Sequence, residues 1–301
     1  MSVATANKPA TWARPAAAER PHLQSFVRFV RSSPLGTFAA VMLMVLIFIA
    51  IFADQLAPFD PLVADYSVSR SPPTAEHVFG ADQLGRDTLS RIIHGARVSL
   101  FVALVSVLLG DSVGLLWGIA SGFIGGRFDL ISQRLLDTLL SFPGLILAML
   151  LLVGLGAGLS TVIIAIAVTR IPLGTRVIRS VVLSLRNLAY VEAARGLGSS
   201  SLRIMALHIL PQCIAPFLVI VSANIGVAIT TEAALSFLGI GVPPPTPTWG
   251  NMLGGVLAES FKPPWWLVVY PGVFLTATVL AANLFGDAFR DFLDPKLRGL
   301  T

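Results

Sequence analysis

Tyr190-Val-Glu-Ala-Ala-Arg-Gly-Leu-Gly-Ser-Ser-Ser-Leu-Arg-Ile-Met-Ala-Leu-His-Ile-Leu-Pro211 is a polar-faced segment in a chain that is otherwise mostly apolar. Asn187, just upstream, is placed to cap a helix, because its side-chain oxygen can accept a first-turn N–H. Val191, Ala194 and Leu197 then fall on one helical stripe, and Glu192 and Arg195 share another at i, i+3. Gly198 suits the left-handed residue that closes such a helix. Ser199 to Ser201 offer a second N-cap, for a short helix predicted over Leu202 to Leu210. Pro211 cannot donate a backbone hydrogen bond, so it fits the first turn of the helix after that. Two short helices with a tight bend make a small knob. Such a knob can dock in a groove of another protein or lie on lipid headgroups, and the pattern alone leaves both open.

The knob sits in a membrane protein. The 301 residues are 55% hydrophobic and 12% charged, against roughly 25% charged in soluble domains. Mean hydropathy is +0.81, so lipid is the solvent for most of the chain. The net charge of +5 fits Lys and Arg flanking membrane spans. No basic block with interleaved aromatics points to nucleic acid. The single cysteine, Cys213, excludes an intrachain disulfide and a cysteine-rich metal site.

Outward from the knob the apolar runs predict six spans: Leu35–Ala53, Val98–Ile119, Leu135–Leu155, a fourth opening at Thr161–Thr175, Ile214–Leu238 and Leu267–Phe285. Residues 1–34 are rich in Ala, Pro and Arg and read as a cytoplasmic tail, helical only near Phe26. The first apolar run starts too late and runs too long for a signal peptide. Residues 54–97 form an acidic outer connection in which Asp87 is a helix cap. Pro143 is placed to kink the third span. Five arginines (Arg176, Arg179, Arg186, Arg195 and Arg203) against Glu192 place the loop 176–211 in the cytoplasm. Pro243-Pro-Pro-Thr-Pro247 favours an extended outer backbone, and Trp249, Trp265 and Trp266 suit the aromatic belt. The predicted architecture is all-α, with six crossings and both ends cytoplasmic.

Glu192-Ala193-Ala194, Gly198 and Leu210-Pro211 resemble the EAA loop of bacterial ABC importer permeases. The flanks Tyr190-Val191 and His208-Ile209 resemble the peptide and nickel branch. His208 stands where the general pattern has Ile, and Gln212 where the peptide branch often has Asn. Four other places are similar to that branch: His77 to Arg91 with Gly95-Ala-Arg97; Leu235-Ser-Phe-Leu-Gly-Ile-Gly-Val-Pro-Pro-Pro-Thr-Pro-Thr-Trp-Gly250; Trp265-Trp266; and Arg290-Asp291 with Leu293-Asp-Pro-Lys-Leu-Arg298. The resemblance runs from about Phe26 to the C-terminus and implies a C-type permease subunit with the type I ABC importer permease fold. It implies a bacterial plasma (inner) membrane location, a second homologous permease, two ATP-binding subunits and an extracytoplasmic solute-binding protein. It also implies di- or oligopeptide cargo, with nickel chelates as the alternative. Tyr190, Glu192, Ala193, Ala194, Arg195, Gly198, His208, Leu210 and Pro211 would then couple the chain to the ATPase. ATP and Mg²⁺ belong to those ATPase subunits, and no cofactor is expected in this chain.

No phosphate-loop, zinc-protease or nucleophile-elbow motif is present, so the chain is not read as an enzyme. Asp111, Arg170, Asn224 and Glu232 fall inside predicted spans, where a charge costs roughly 2.5–3.5 kcal/mol on insertion scales. Asp111, Asn224 and Glu232 are therefore candidates to line or flank a translocation path. The competing reading is that the acids pair with Arg170 or with polar groups of a companion subunit. An ion-coupled carrier and a non-transporting membrane scaffold remain the other classes. The carrier reading leaves the cytoplasmic knob without a task, and no repeated half is visible; a reconstituted complex that binds but never moves solute would favour the scaffold.

Overall fold

The computed structural model describes residues 33–259 and 261–293. The basic tail before residue 33 and the Asp-Pro-Lys-Leu-Arg motif after residue 293 lie outside them. Eleven α-helices carry the described chain: α1 (Pro34–Ile51), α2 (Ala53–Leu56), α3 (Thr88–Ile124), α4 (Gly126–Leu140), α5 (Gly144–Leu155), α6 (Leu159–Leu185), α7 (Ala189–Gly196), α8 (Ser201–Ile204), α9 (Leu210–Phe237), α10 (Trp249–Glu259) and α11 (Trp265–Leu293). A 3₁₀ turn spans Tyr66–Val68 and a π turn spans Met205–Ile209. Five helical segments are long and apolar enough to cross a membrane, and a sixth crossing arises if the bent pair α4–α5 counts as one.

The spine is α3 against α6. α3 has 37 residues, about 55 Å at about 1.5 Å per residue. It starts ten residues before the predicted span because Asp87 caps it, accepting from Ser90 N at 2.8 Å and Ser90 Oγ at 2.7 Å. Gly110, Gly114, Gly118 and Gly122 recur every fourth residue and lie along α6. A Cβ on Gly110 would stand 2.4 Å from the Ala167 carbonyl oxygen, and one on Gly118 2.8 Å from that of Thr175. Only glycine permits this backbone approach, which is how helices associate where no hydrophobic force separates them from lipid.

Three predicted features are corrected. The third span is not one kinked helix: α4 and α5 meet at 90°. Pro143 lacks an N–H and holds an extended backbone (ψ 131°), so α4 cannot continue through it. α4 is amphipathic. Asp129, Gln133 and Asp137 share its polar face. The predicted helix 202–210 does not stand alone, because α8 runs through the π turn straight into α9. The wide turn, with Leu210 N bonded to the Met205 carbonyl, accommodates Pro211, which an α-turn would crowd. Trp249 is not in an aromatic belt: it is fully buried, and its Nε1 donates to the Ile92 carbonyl at 3.1 Å.

Trp249 opens α10, which sits on the outer end of the bundle. Gly250 and Gly254 bring it against the Ala233 and Phe237 carbonyls of α9. Asp82 folds the outer connection on itself, accepting from Leu84 N, Arg86 N and Arg86 Nε at 2.8–3.0 Å, and pairs with Arg91 of α3 at 3.4 Å. Arg97 ties α3 to the end of α1 through the Ala50 and Ile51 carbonyls and Asp54.

Candidate functional site

The knob is built as a rigid extension of the spans. Leu188 holds an extended backbone, and its carbonyl accepts from Val191 N and Glu192 N at 2.9 and 3.2 Å. The main chain thus starts α7, and Asn187 is not its cap. The helix closes in a Schellman turn: Gly198 N donates to the Arg195 carbonyl at 2.9 Å and Ser199 N to that of Ala194 at 3.0 Å. Gly198 takes φ +78°, the left-handed conformation that glycine alone adopts without penalty. Ser200 then caps α8, accepting from Arg203 N at 3.4 Å.

Val191 and Ala194 are buried in a core shared with Leu115, Ile119 and Phe123 of α3, Ile178 and Val182 of α6, and Ile204, Ile209 and Cys213 downstream. Burying a side chain such as Val191 contributes about 1.5–3 kcal/mol. The Arg195 guanidinium lies over the Phe123 ring, 5.0 Å from its centroid, so no Glu192–Arg195 ion pair forms. The third member of the predicted stripe, Leu197, is 88% exposed. The Schellman turn takes the chain off the helix there and sends the side chain outward. Tyr190, in edge contact with His208 at 6.3 Å, is exposed, as are Glu192, Ala193, Gly198, Leu202 and Pro211, while His208 and Leu210 are half-buried. The outcome is an apolar underside fixed to three spans and an outer surface topped by Leu197 and Leu202.

Three of the five arginines that predicted the loop's side of the membrane make specific contacts. Arg179 forks onto Asp129, Nε to Oδ1 at 2.6 Å and Nη2 to Oδ2 at 2.5 Å. Ser121 of α3 donates to the same carboxylate at 2.5 Å. Arg176 pairs with Asp137, and Arg186 donates to the Gly122 carbonyl at 3.0 Å. α4 is therefore clamped to α3 and α6. Sequence reasoning missed this network. Its signal was the four-residue spacing of Asp129, Gln133 and Asp137, opposite a run of arginines.

Within the spans, Asp111 and Asn224 are brought together. The Asn224 amide donates to both Asp111 oxygens at 3.0 and 3.2 Å, joining α3 to α9. Asp111 is 1% exposed. Glu232 is elsewhere, two turns nearer the outer end of α9 and fully buried. It accepts from Ser236 Oγ at 2.8 Å, while its second oxygen and Ser99 Oγ have no hydrogen-bond partner among the described residues. Both acids thus face the chain's own interior. Arg170 forms no ion pair within 4 Å, and its Nε is without a partner among the described residues.

Comparison with known proteins places this geometry. The family described as "Binding-protein-dependent transport system inner membrane component" matches residues 114–299, and "N-terminal TM domain of oligopeptide transport permease C" matches 23–73. The chain is 42% identical over 270 residues to the di/tripeptide transport system permease protein DppC of Pseudomonas aeruginosa, covering 87% of this chain and 89% of that one. It is 39% identical over 275 residues to the glutathione transport system permease protein GsiD of Escherichia coli, covering 91% and 90%. It is 41% identical over 258 residues to a putative peptide transport system permease protein of Brucella suis, covering 86% of each. Among solved structures, an inward-facing MetNI methionine ABC transporter chain superposes with a TM-score of 0.53 at 18% identity, covering 71% of this chain and 97% of that one. That likeness shows the fold, an ABC importer permease bundle.

Proposed function

Because this chain belongs to the family of binding-protein-dependent transport system inner membrane components, we propose that it is one permease subunit of an ATP-driven importer of di- and oligopeptides. The relatives that carry peptide and glutathione transport in their names support the cargo class. The complex would hold a second homologous permease, two ATP-binding subunits and an extracytoplasmic solute-binding protein. ATP and Mg²⁺ would be bound by the ATP-binding subunits alone. In this reading Tyr190, Glu192, Ala193, Arg195, Gly198 and Pro211 form the exposed coupling surface, Ala194 anchors it from the buried underside, and His208 and Leu210 lie half-buried behind it.

One observation carries it: the knob's exposed cap stands on an underside packed against α3, α6 and α9. A push on Leu197 or Glu192 by an ATPase groove cannot be absorbed locally, because interfaces packed this closely move as units. The displacement passes to the spans, and the solute crosses between this subunit and its companion. Asp111, Asn224 and Glu232 flank that route from inside the bundle. Asp111 and Asn224 keep α3 and α9 moving together.

The test is an importer reconstituted in vesicles and assayed against labelled di- and tripeptides and nickel. The wild-type complex is expected to take up peptide. Glu192→Lys is expected to remove substrate-stimulated ATP hydrolysis and uptake while the spans still insert. Full stimulation in that variant would contradict the coupling assignment, and nickel uptake without peptide uptake would contradict the cargo.

A further inference from the structure

The elbow between α4 and α5 lies at an unusual depth. α5 has 12 residues, about 18 Å at about 1.5 Å per residue, against about 30 Å of hydrocarbon. α5 returns through the three-residue turn 156–158 into α6. Ala148 and Leu152 pack in one core with Ile166 and Val162; counted outward from the turn at equal rise per residue, the antiparallel pair sets Leu152 level with Val162 and Ala148 with Ile166. One turn further, Gly144 is level with Arg170. Arg170 lies eleven residues inside α6, about 17 Å from its outer end. Ser141, Phe142, Pro143 and Gly144, the residues of the break, are therefore irregular backbone near the middle of the membrane.

All four are exposed in this chain. Non-helical backbone at that depth is tolerated only against protein or against a water-filled cavity, because lipid cannot satisfy its polar groups. Arg170 continues the Val162–Ile166 face toward the same level. Asp111 lies within electrostatic reach of Arg170, but its carboxylate is held by Asn224, and among the described residues Arg170 forms no ion pair within 4 Å.

We propose that the Ser141–Gly144 elbow lines the aqueous passage at mid-membrane and that Arg170, level with it, is a specificity-determining residue that meets the carboxylate of the solute. The inference rests on the peptide-import reading for its cargo. A guanidinium recognises a carboxylate by charge-assisted hydrogen bonds, and every unmodified peptide carries one at its C-terminus. Neither the elbow nor Arg170 belongs to the ATPase-coupling surface.

The experiment uses the complete importer in vesicles, with Cys213→Ala removing this chain's one thiol. Ser141→Cys and Gly144→Cys are treated with a membrane-impermeant charged thiol reagent, beside Val153→Cys on the exposed apolar face of α5. The elbow thiols are expected to react in at least one nucleotide state and the Val153→Cys thiol to stay unmodified. Elbow thiols that never react, or all three reacting alike, would overturn the passage. Arg170→Cys is expected to lower peptide uptake about tenfold. Modification with a cationic aminoethyl reagent should restore at least half, and an anionic reagent of the same size should not. Uptake unaffected in Arg170→Cys, or restored equally by both reagents, would overturn the specificity role. Arg170→Lys, which keeps the charge, should retain most uptake, and its complete loss of transport with normal assembly would count against a charge contact. Failure of the unmodified complex to move peptide would instead overturn the cargo assignment, while the thiol reactivity of the elbow tests the passage whatever the cargo.

Discussion

At the residue scale, Gly198 shows how one backbone angle decides a shape. Its φ is +78° and nothing lies within 4 Å of an added Cβ, so a substitution there is opposed by conformation and not by space. Gly198→Val should cost about 1–2 kcal/mol in the left-handed region, open the Schellman turn and lower uptake at least fivefold with normal membrane insertion. Gly198→Asn, which tolerates that region, should keep most activity. Measuring peptide uptake and protein level for the two side by side separates the angle from the volume. The sequence position of Gly198 was enough to predict this turn. Leu197 was not legible in the same way, because helical periodicity placed it with Val191 and Ala194 and could not see that the helix ends one residue earlier. Arg195 was read as a helix-surface charge beside Glu192. Its actual partner, Phe123, lies 72 positions away in sequence, a distance at which local spacing is silent. Arg195→Met should loosen the knob by about 0.5–2 kcal/mol, visible as faster proteolysis in the 186–200 loop.

At the scale of elements, the close contact between α3 and α6 is the joint on which the proposed transmission depends. Gly110→Ala would drive a methyl into the Ala167 carbonyl at 2.4 Å and should destabilise the bundle by about 1–3 kcal/mol, read as a lower melting temperature in detergent. Gly144→Ala, with nothing within 4 Å, should leave it unchanged. The clamp on α4 is a second joint. Asp129→Asn weakens the fork from Arg179, worth about 1–3 kcal/mol for a partly buried charge-assisted pair. The double change Asp129→Arg with Arg179→Asp should recover part of that loss. Span existence was readable from hydropathy because each run is long. Span geometry was less so. Pro143 announced an irregularity, but whether a proline bends a helix or ends it depends on packing against α3 and α6. Trp249 was misplaced for a related reason: an aromatic near an outer loop suits the lipid interface equally well until a carbonyl such as that of Ile92 takes its N–H.

At the scale of the whole molecule, the inner core joins the knob to three spans, and the outer core ties α10 and the acidic connection to the same α3. A helix of 37 residues thus links the two ends of the subunit. In the proposed coupling, motion at the cytoplasmic face and access at the outer face are one mechanical event. The central claim is that work enters through the knob from a nucleotide-hydrolysing neighbour. A photo-reactive phenylalanine analogue at Leu197, in the complete importer in inner membranes, measures that contact directly, with the same probe at Val153 as the lipid-facing control. A nucleotide-sensitive adduct between position 197 and an ATP-binding subunit, absent from position 153, is the predicted result. An adduct from position 197 to lipid or to the external solute-binding protein, with none to an ATP-binding subunit, would contradict it.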